Sequence, residues 1–151
     1  TDYMWDHIRS VKEGRAPSGN GRRQSYEHLP MVRMTNTFVL NGTDEPDDIV
    51  RATESGVYVA KLGGGSVNTA TGDFVFGMTE AYLVEGGRIT APLRGAQLIG
   101  NGPEAMRAVD AVGNDFETWT GMCGKSGQSV PVSSGQPTLR VAELTIGGTA
   151  A

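Results

Sequence analysis

Glu80-Ala81-Tyr82-Leu83-Val84-Glu85-Gly86-Gly87-Arg88-Ile89-Thr90-Ala91-Pro92-Leu93 is the stretch whose reading decides the fold. Two runs rich in β-branched and aromatic residues flank a Gly-Gly pair, and both glycines can take the positive φ that a two-residue hairpin turn demands. An antiparallel hairpin follows. Working outward, the same grammar repeats. Val57-Tyr58-Val59-Ala60 reads as a strand, and Gly63-Gly64-Gly65 breaks the pattern or forms a bulge. Ser66–Ala70 and Phe74–Met78 flank Thr71-Gly72-Asp73, and Gln97-Leu98-Ile99 adds another short strand. Met31–Leu40 alternates loosely and reads as a strand, as do Phe116–Thr120, Ser129–Val132 and parts of Thr138–Ile146.

Helical spacing is confined to three places. Asp2–Val11 carries Tyr3, His7 and Ile8 at helical intervals, with Gly14 beyond its end. A second helix is expected after Thr43 or Asp44 as cap, with Pro46 in its first turn, Asp47 and Asp48 at the positive end of its dipole, and Gly56 closing it. Pro103–Val112 reads as a third, stopped by Gly113. The fold class expected is therefore β-rich α+β: a mostly antiparallel curved sheet or barrel with about three short helices, in one domain over 1–151.

With 151 residues, 22 glycines and 38% apolar content, the chain has the composition of a globular protein rich in tight turns. It holds no apolar run of the length a membrane helix needs. The net charge of −4 carries no basic stripe beyond Arg22-Arg23, so phosphate backbones find little electrostatic attraction and direct nucleic-acid binding is not expected. Thr1-Asp2-Tyr3-Met4-Trp5-Asp6 lacks the features of an export signal, and there is a single thiol; a cytoplasmic setting is expected, with the sequon Asn41-Gly42-Thr43 coincidental.

Two motifs invite a nucleotide reading and fail it. Gly124-Lys125-Ser126 resembles the end of a phosphate-binding loop, but Trp119 stands where that loop needs glycine. Gly100-Asn101-Gly102-Pro103-Glu104-Ala105 matches G-x-G-x-x-A, yet Pro103 removes a backbone donor that a pyrophosphate would use. His7 and His28 have no companion at metal-ligand spacing, and the acidic pair Asp47-Asp48 suits a helix dipole better than catalysis.

Cys123, the only cysteine, sits in Gly121-Met122-Cys123-Gly124-Lys125-Ser126-Gly127-Gln128. A lone thiol among small residues is a buried filler, a nucleophile, or one ligand of a metal completed from elsewhere. Lys125 reads either as a charge that favours its thiolate or as an ordinary solvated lysine. Arg22 and Arg23, after a glycine-rich loop, suit carboxylates of a peptide substrate or of a partner, or an internal salt bridge.

Read in order, several stretches carry a family resemblance: Gly19-Asn20-Gly21-Arg22-Arg23, Met34-Thr35-Asn36-Thr37, Gly63-Gly64-Gly65-Ser66-Val67, Thr71-Gly72-Asp73-Phe74, Val112-Gly113-Asn114-Asp115, Met122–Gln128 and Gly135-Gln136-Pro137-Thr138. Together they resemble the C-terminal half of TldD-type members of the TldD/PmbA metallopeptidase family, also labelled modulators of DNA gyrase. The resemblance implies a two-part protein whose N-terminal half carries H-E-x-x-x-H, with two histidine ligands and a glutamate base. Its C-terminal half adds a cysteine ligand, and Cys123 matches that position. No H-E-x-x-x-H occurs here, so the chain is expected to be a fragment that neither binds zinc tightly nor acts alone. The implied cofactor is Zn2+ in the full-length protein. The implied partners are its own N-terminal half, a second copy or a PmbA/TldE-like paralogue, and peptide substrates. A non-enzymatic peptide- or partner-binding module is the rival reading.

Overall fold

The computed structural model describes residues 7–148, which pack as two units: one within Thr1–Leu40 and Phe116–Gln136, the other within Asn41–Asp115 and Pro137–Ala151.

In the first unit, helix α1 (His7–Glu13) ends at Gly14, whose φ of 63° lets the chain leave the helix, and Arg15 N–H closes back on the Ser10 carbonyl. The expected start at Asp2 and the place of Tyr3 lie outside the described residues. Two-residue strands β1 (Gly21–Arg22) and β2 (Met31–Val32) pair antiparallel, and β3 (Thr37–Phe38) follows. Met31–Leu40 is thus not one strand. Arg33 turns its side chain into the unit, and Asn36 accepts from the Ser133 N–H, so the run bends between two partners.

The second unit begins with α2 (Pro46–Arg51). Its cap is Glu45 in extended conformation, rather than Thr43 or Asp44, because Asp44 is drawn into a bridge with Gly113. The helix ends at Ala52, well before Gly56. That glycine lies inside strand β4 (Ser55–Val67), which runs unbroken through Gly63-Gly64-Gly65. The glycines do not interrupt the strand; they coincide with register shifts against β5 (Asp73–Glu85). At Gly65 the backbone approaches Val75 and Phe76 too closely for any Cβ.

β5 is continuous where two runs were read, and it organises a five-stranded sheet. It pairs with β4 along its length, with β6 (Arg88–Leu93) at one end and with β7 (Gln97–Asn101) at the other; β12 (Thr145–Gly147) extends the sheet beyond β7. The β5–β6 hairpin turns on Gly86 and Gly87 with φ of 55° and 73°. Met78, Ala81 and Ala96 form a small core with Val57, Val59, Leu93 and Leu98 against it. Helix α3 (Gly102–Arg107) stops at Ala108, and Val109–Val112 forms strand β8, paired with β11 (Leu139–Val141), instead of completing a helix. The β-branched residues at 109 and 112 favour this pairing over another helical turn.

Returning to the first unit, β9 (Glu117–Lys125) and β10 (Gln128–Gln136) form a nine-pair antiparallel hairpin, and β3 adds to β10 in parallel. Both strands are longer than their sequence cues. The expected β-rich α+β class is what the chain adopts, with three short helices among the described residues and open sheets that are antiparallel there except at β3–β10.

Candidate metal-ligand site

Cys123 stands on β9, directly opposite Val130. The strand ends two residues later, and the hairpin turns at Ser126 and Gly127, with φ of 50° and 73°; the Gly124-Lys125-Ser126 motif is thus a strand end and turn, with no phosphate-binding helix behind it. Val130 is buried, whereas Cys123 is only half-buried.

Residues 20–34 are stitched onto the hairpin. Arg22 donates from Nη1 to the Met34 carbonyl (2.9 Å) and from Nη2 to that of Pro131 (2.7 Å). The Gln24 N–H donates to Gln128 Oε1, the Ser129 N–H to Gln24 Oε1, and Gln128 Nε2 to the Leu29 carbonyl. Lys125 Nζ is spent on the Val32 carbonyl at 2.9 Å. Arg23 is exposed.

The sulfur itself faces Arg33, which sequence reading passed over. Its Nη2 lies 3.6 Å from Cys123 Sγ, donates to the Gln128 carbonyl (3.2 Å), and also donates to the Cys123 carbonyl. The Met34 N–H points at the same sulfur. Burial pushes the Cys123 thiol up, but the Arg33 hydrogen bond, the Met34 N–H and the charges of Arg33 and Lys125 outweigh it, leaving the thiol below its ordinary value. The one available clue was a lone cation inside the apolar run Met31-Val32-Arg33-Met34.

The histidines do not join this site. His28 Nδ1 shares a hydrogen bond with Ser25 Oγ (2.8 Å), and His7 borders a cleft of about 280 Å³ with Pro17, Asn20 and Val32. Asp48 pairs with Arg51 within α2. Among the described residues no three His, Cys, Asp or Glu side chains gather in a metal-binding group. The donor chemistry therefore fits one thiolate ligand of a zinc ion and no more, since a catalytic zinc takes three protein ligands.

Over residues 1–148 the chain belongs to the PmbA/TldA metallopeptidase C-terminal domain family. It is 48% identical over 149 residues to the metalloprotease TldD homolog of Haemophilus influenzae, covering 97% of this chain and 31% of that protein. It is 34% identical over 147 residues to the zinc metalloprotease TldD homolog of Saccharolobus solfataricus, covering 97% and 33%. The chain thus spans about a third of the length of these curated relatives. Its fold is shared with TldE from Thermococcus kodakarensis (TM-score 0.75, 20% identity, 98% of this chain and 31% of that one). It is also shared with a Thermotoga maritima protein described as a candidate modulator of a DNA gyrase (TM-score 0.72, 21% identity, 97% and 30%). Among the described residues, no helix is long and apolar enough to cross a membrane.

Proposed function

We propose that this chain is the C-terminal part of a cytoplasmic, zinc-dependent metallopeptidase acting on peptides or unfolded segments, and that Cys123 gives the metal one of its ligands. The observation that carries the reading is the setting of the sulfur: half-buried on a strand, flanked by a guanidinium and a backbone N–H that both suit an anion. A filler cysteine has no use for two such donors. The remaining ligands and a general base come from an N-terminal half, and a second copy or a TldE-like paralogue is the assembly partner. Bound zinc supplies a water acidic enough to be hydroxide near neutral pH.

This chain's own part is to hold the sulfur and the strand that bears it. Arg22 and Arg23 are proposed to receive carboxylates of the peptide, Arg23 from an exposed position and Arg22 with what its two carbonyl bonds leave free. The test is Cys123→Ser in the full-length protein, read by zinc stoichiometry and peptide hydrolysis. Both should fall; hydrolysis and zinc content at the parent level remove the reading. The isolated chain should neither retain zinc stoichiometrically nor cleave peptides.

A further inference from the structure

Arg33 is only 1% exposed, and its Nε and Nη1 are buried without an acceptor. Among the described residues no carboxylate pairs with it. A buried cation in this state is costly, and a well-packed apolar side chain of similar volume usually serves a fold as well or better. Packing alone therefore does not account for an arginine here.

What the guanidinium does make is concentrated on one spot. Nη2 reaches the sulfur of Cys123, the carbonyl of the same residue, and the Gln128 carbonyl across the turn. The arginine is itself fixed from behind. Its N–H donates to the Asn20 carbonyl (2.9 Å), and buried Asn20 returns a bond from Nδ2 to the Arg33 carbonyl (3.3 Å). One nitrogen on an immobilised backbone thus sets both the strand position and the direction of the sulfur.

We infer that Arg33 is a positioning residue for the Cys123 sulfur, holding it by hydrogen bonds as outer-sphere groups hold metal ligands, at the expense of leaving its other nitrogens unpaired. The inference rests on Cys123 being a ligand and adds a residue to that site. Outer-sphere partners of this kind are worth about 10- to 100-fold in metal affinity.

The experiment compares Arg33→Met, Arg33→Lys and Cys123→Ser in the full-length protein. Zinc affinity is read by competition with a chromophoric chelator, the thiolate-to-metal charge-transfer band after cobalt(II) substitution, and fold by thermal unfolding. Cys123→Ser should lose the charge-transfer band. Arg33→Met should keep the band, shifted, while zinc binds about 10- to 100-fold more weakly. Its melting temperature should stay at or above the parent's. Arg33→Lys, which keeps the charge but lacks the reach and the planar geometry of the guanidinium, should fall between. Parental affinity and an unshifted band in Arg33→Met overturn the inference while the Cys123 reading stands. An unchanged band in Cys123→Ser defeats both. If Arg33→Met does not fold, Arg33→Lys decides alone, and parental affinity and spectrum there overturn the inference.

Discussion

Arg22 donates to the carbonyl of Met34 at 2.9 Å, and the N–H of that same Met34 faces the Cys123 sulfur. The Met34 residue is thus held at its carbonyl by one side chain and presents its N–H to another. With its second bond to Pro131, Arg22 ties the segment to β10. Arg22→Ala removes two charge-assisted bonds and should cost about 1–3 kcal/mol of stability. Exposed Arg23→Ala should leave thermal unfolding unchanged yet raise KM for peptides in the full-length protein. Equal stability losses in the two variants would contradict the bracing that Arg22 adds to the carboxylate-binding role proposed for both.

Ser126 takes φ of 50° in the turn that closes the hairpin, a region non-glycine residues enter at a cost. Asparagine tolerates it better, so Ser126→Asn should raise stability by about 0.5 kcal/mol, whereas Gly127→Ala should lower it by about 1 kcal/mol or more. Denaturant midpoints at constant m-value check both.

Gly135 lies beside the edge-to-face pair Phe38 and Phe116, whose ring centroids are 5.6 Å apart. An added Cβ would sit 2.7 Å from Phe116 Cζ and 2.9 Å from both the Glu117 carbonyl oxygen and Phe38 Cδ1. Gly135→Ala should therefore cost about 1–3 kcal/mol and alter the near-ultraviolet circular dichroism of the rings. Gly124→Ala, with nothing within 4 Å of its Cβ, should be neutral to within about 0.5 kcal/mol. Similar losses at both positions would contradict the packing.

Asp115 accepts from the Thr138 N–H (2.8 Å) and hydroxyl (2.7 Å), joining the two chain segments of the second unit. Burial pushes its carboxyl up, but the Thr138 donors pull it further down, to a net value below the ordinary one. A carboxylate depressed in the folded state stabilises the fold above its unfolded pKa of about 4, and that contribution disappears as pH falls through the lower folded value. Melting temperatures should drop below about pH 4, and Asp115→Asn should flatten that slope. A parental slope in the variant would show that other acids govern it.

The hairpin at Gly86-Gly87, the exit of α1 at Gly14 and the Pro46 helix were legible because each is decided by a few neighbouring residues, through positive φ or a fixed proline φ. Pro103–Val112 misled for the complementary reason. Its spacing suits a helix, but Val109–Val112 finds its partner in Leu139–Val141, about 30 residues downstream, and that pairing wins. β9 likewise runs through Cys123 despite its glycines, because β10 supplies a register partner at every position.

Of the site, the local sequence determined that a single thiol lies among small residues. That Cys123 is half-open and faces a cation depended on Arg33, 90 residues away in the chain. A side chain's burial and its hydrogen-bond acceptors are properties of what the rest of the chain brings to it. Spacing can therefore nominate the sulfur, and only tertiary packing could supply the nitrogen that holds it.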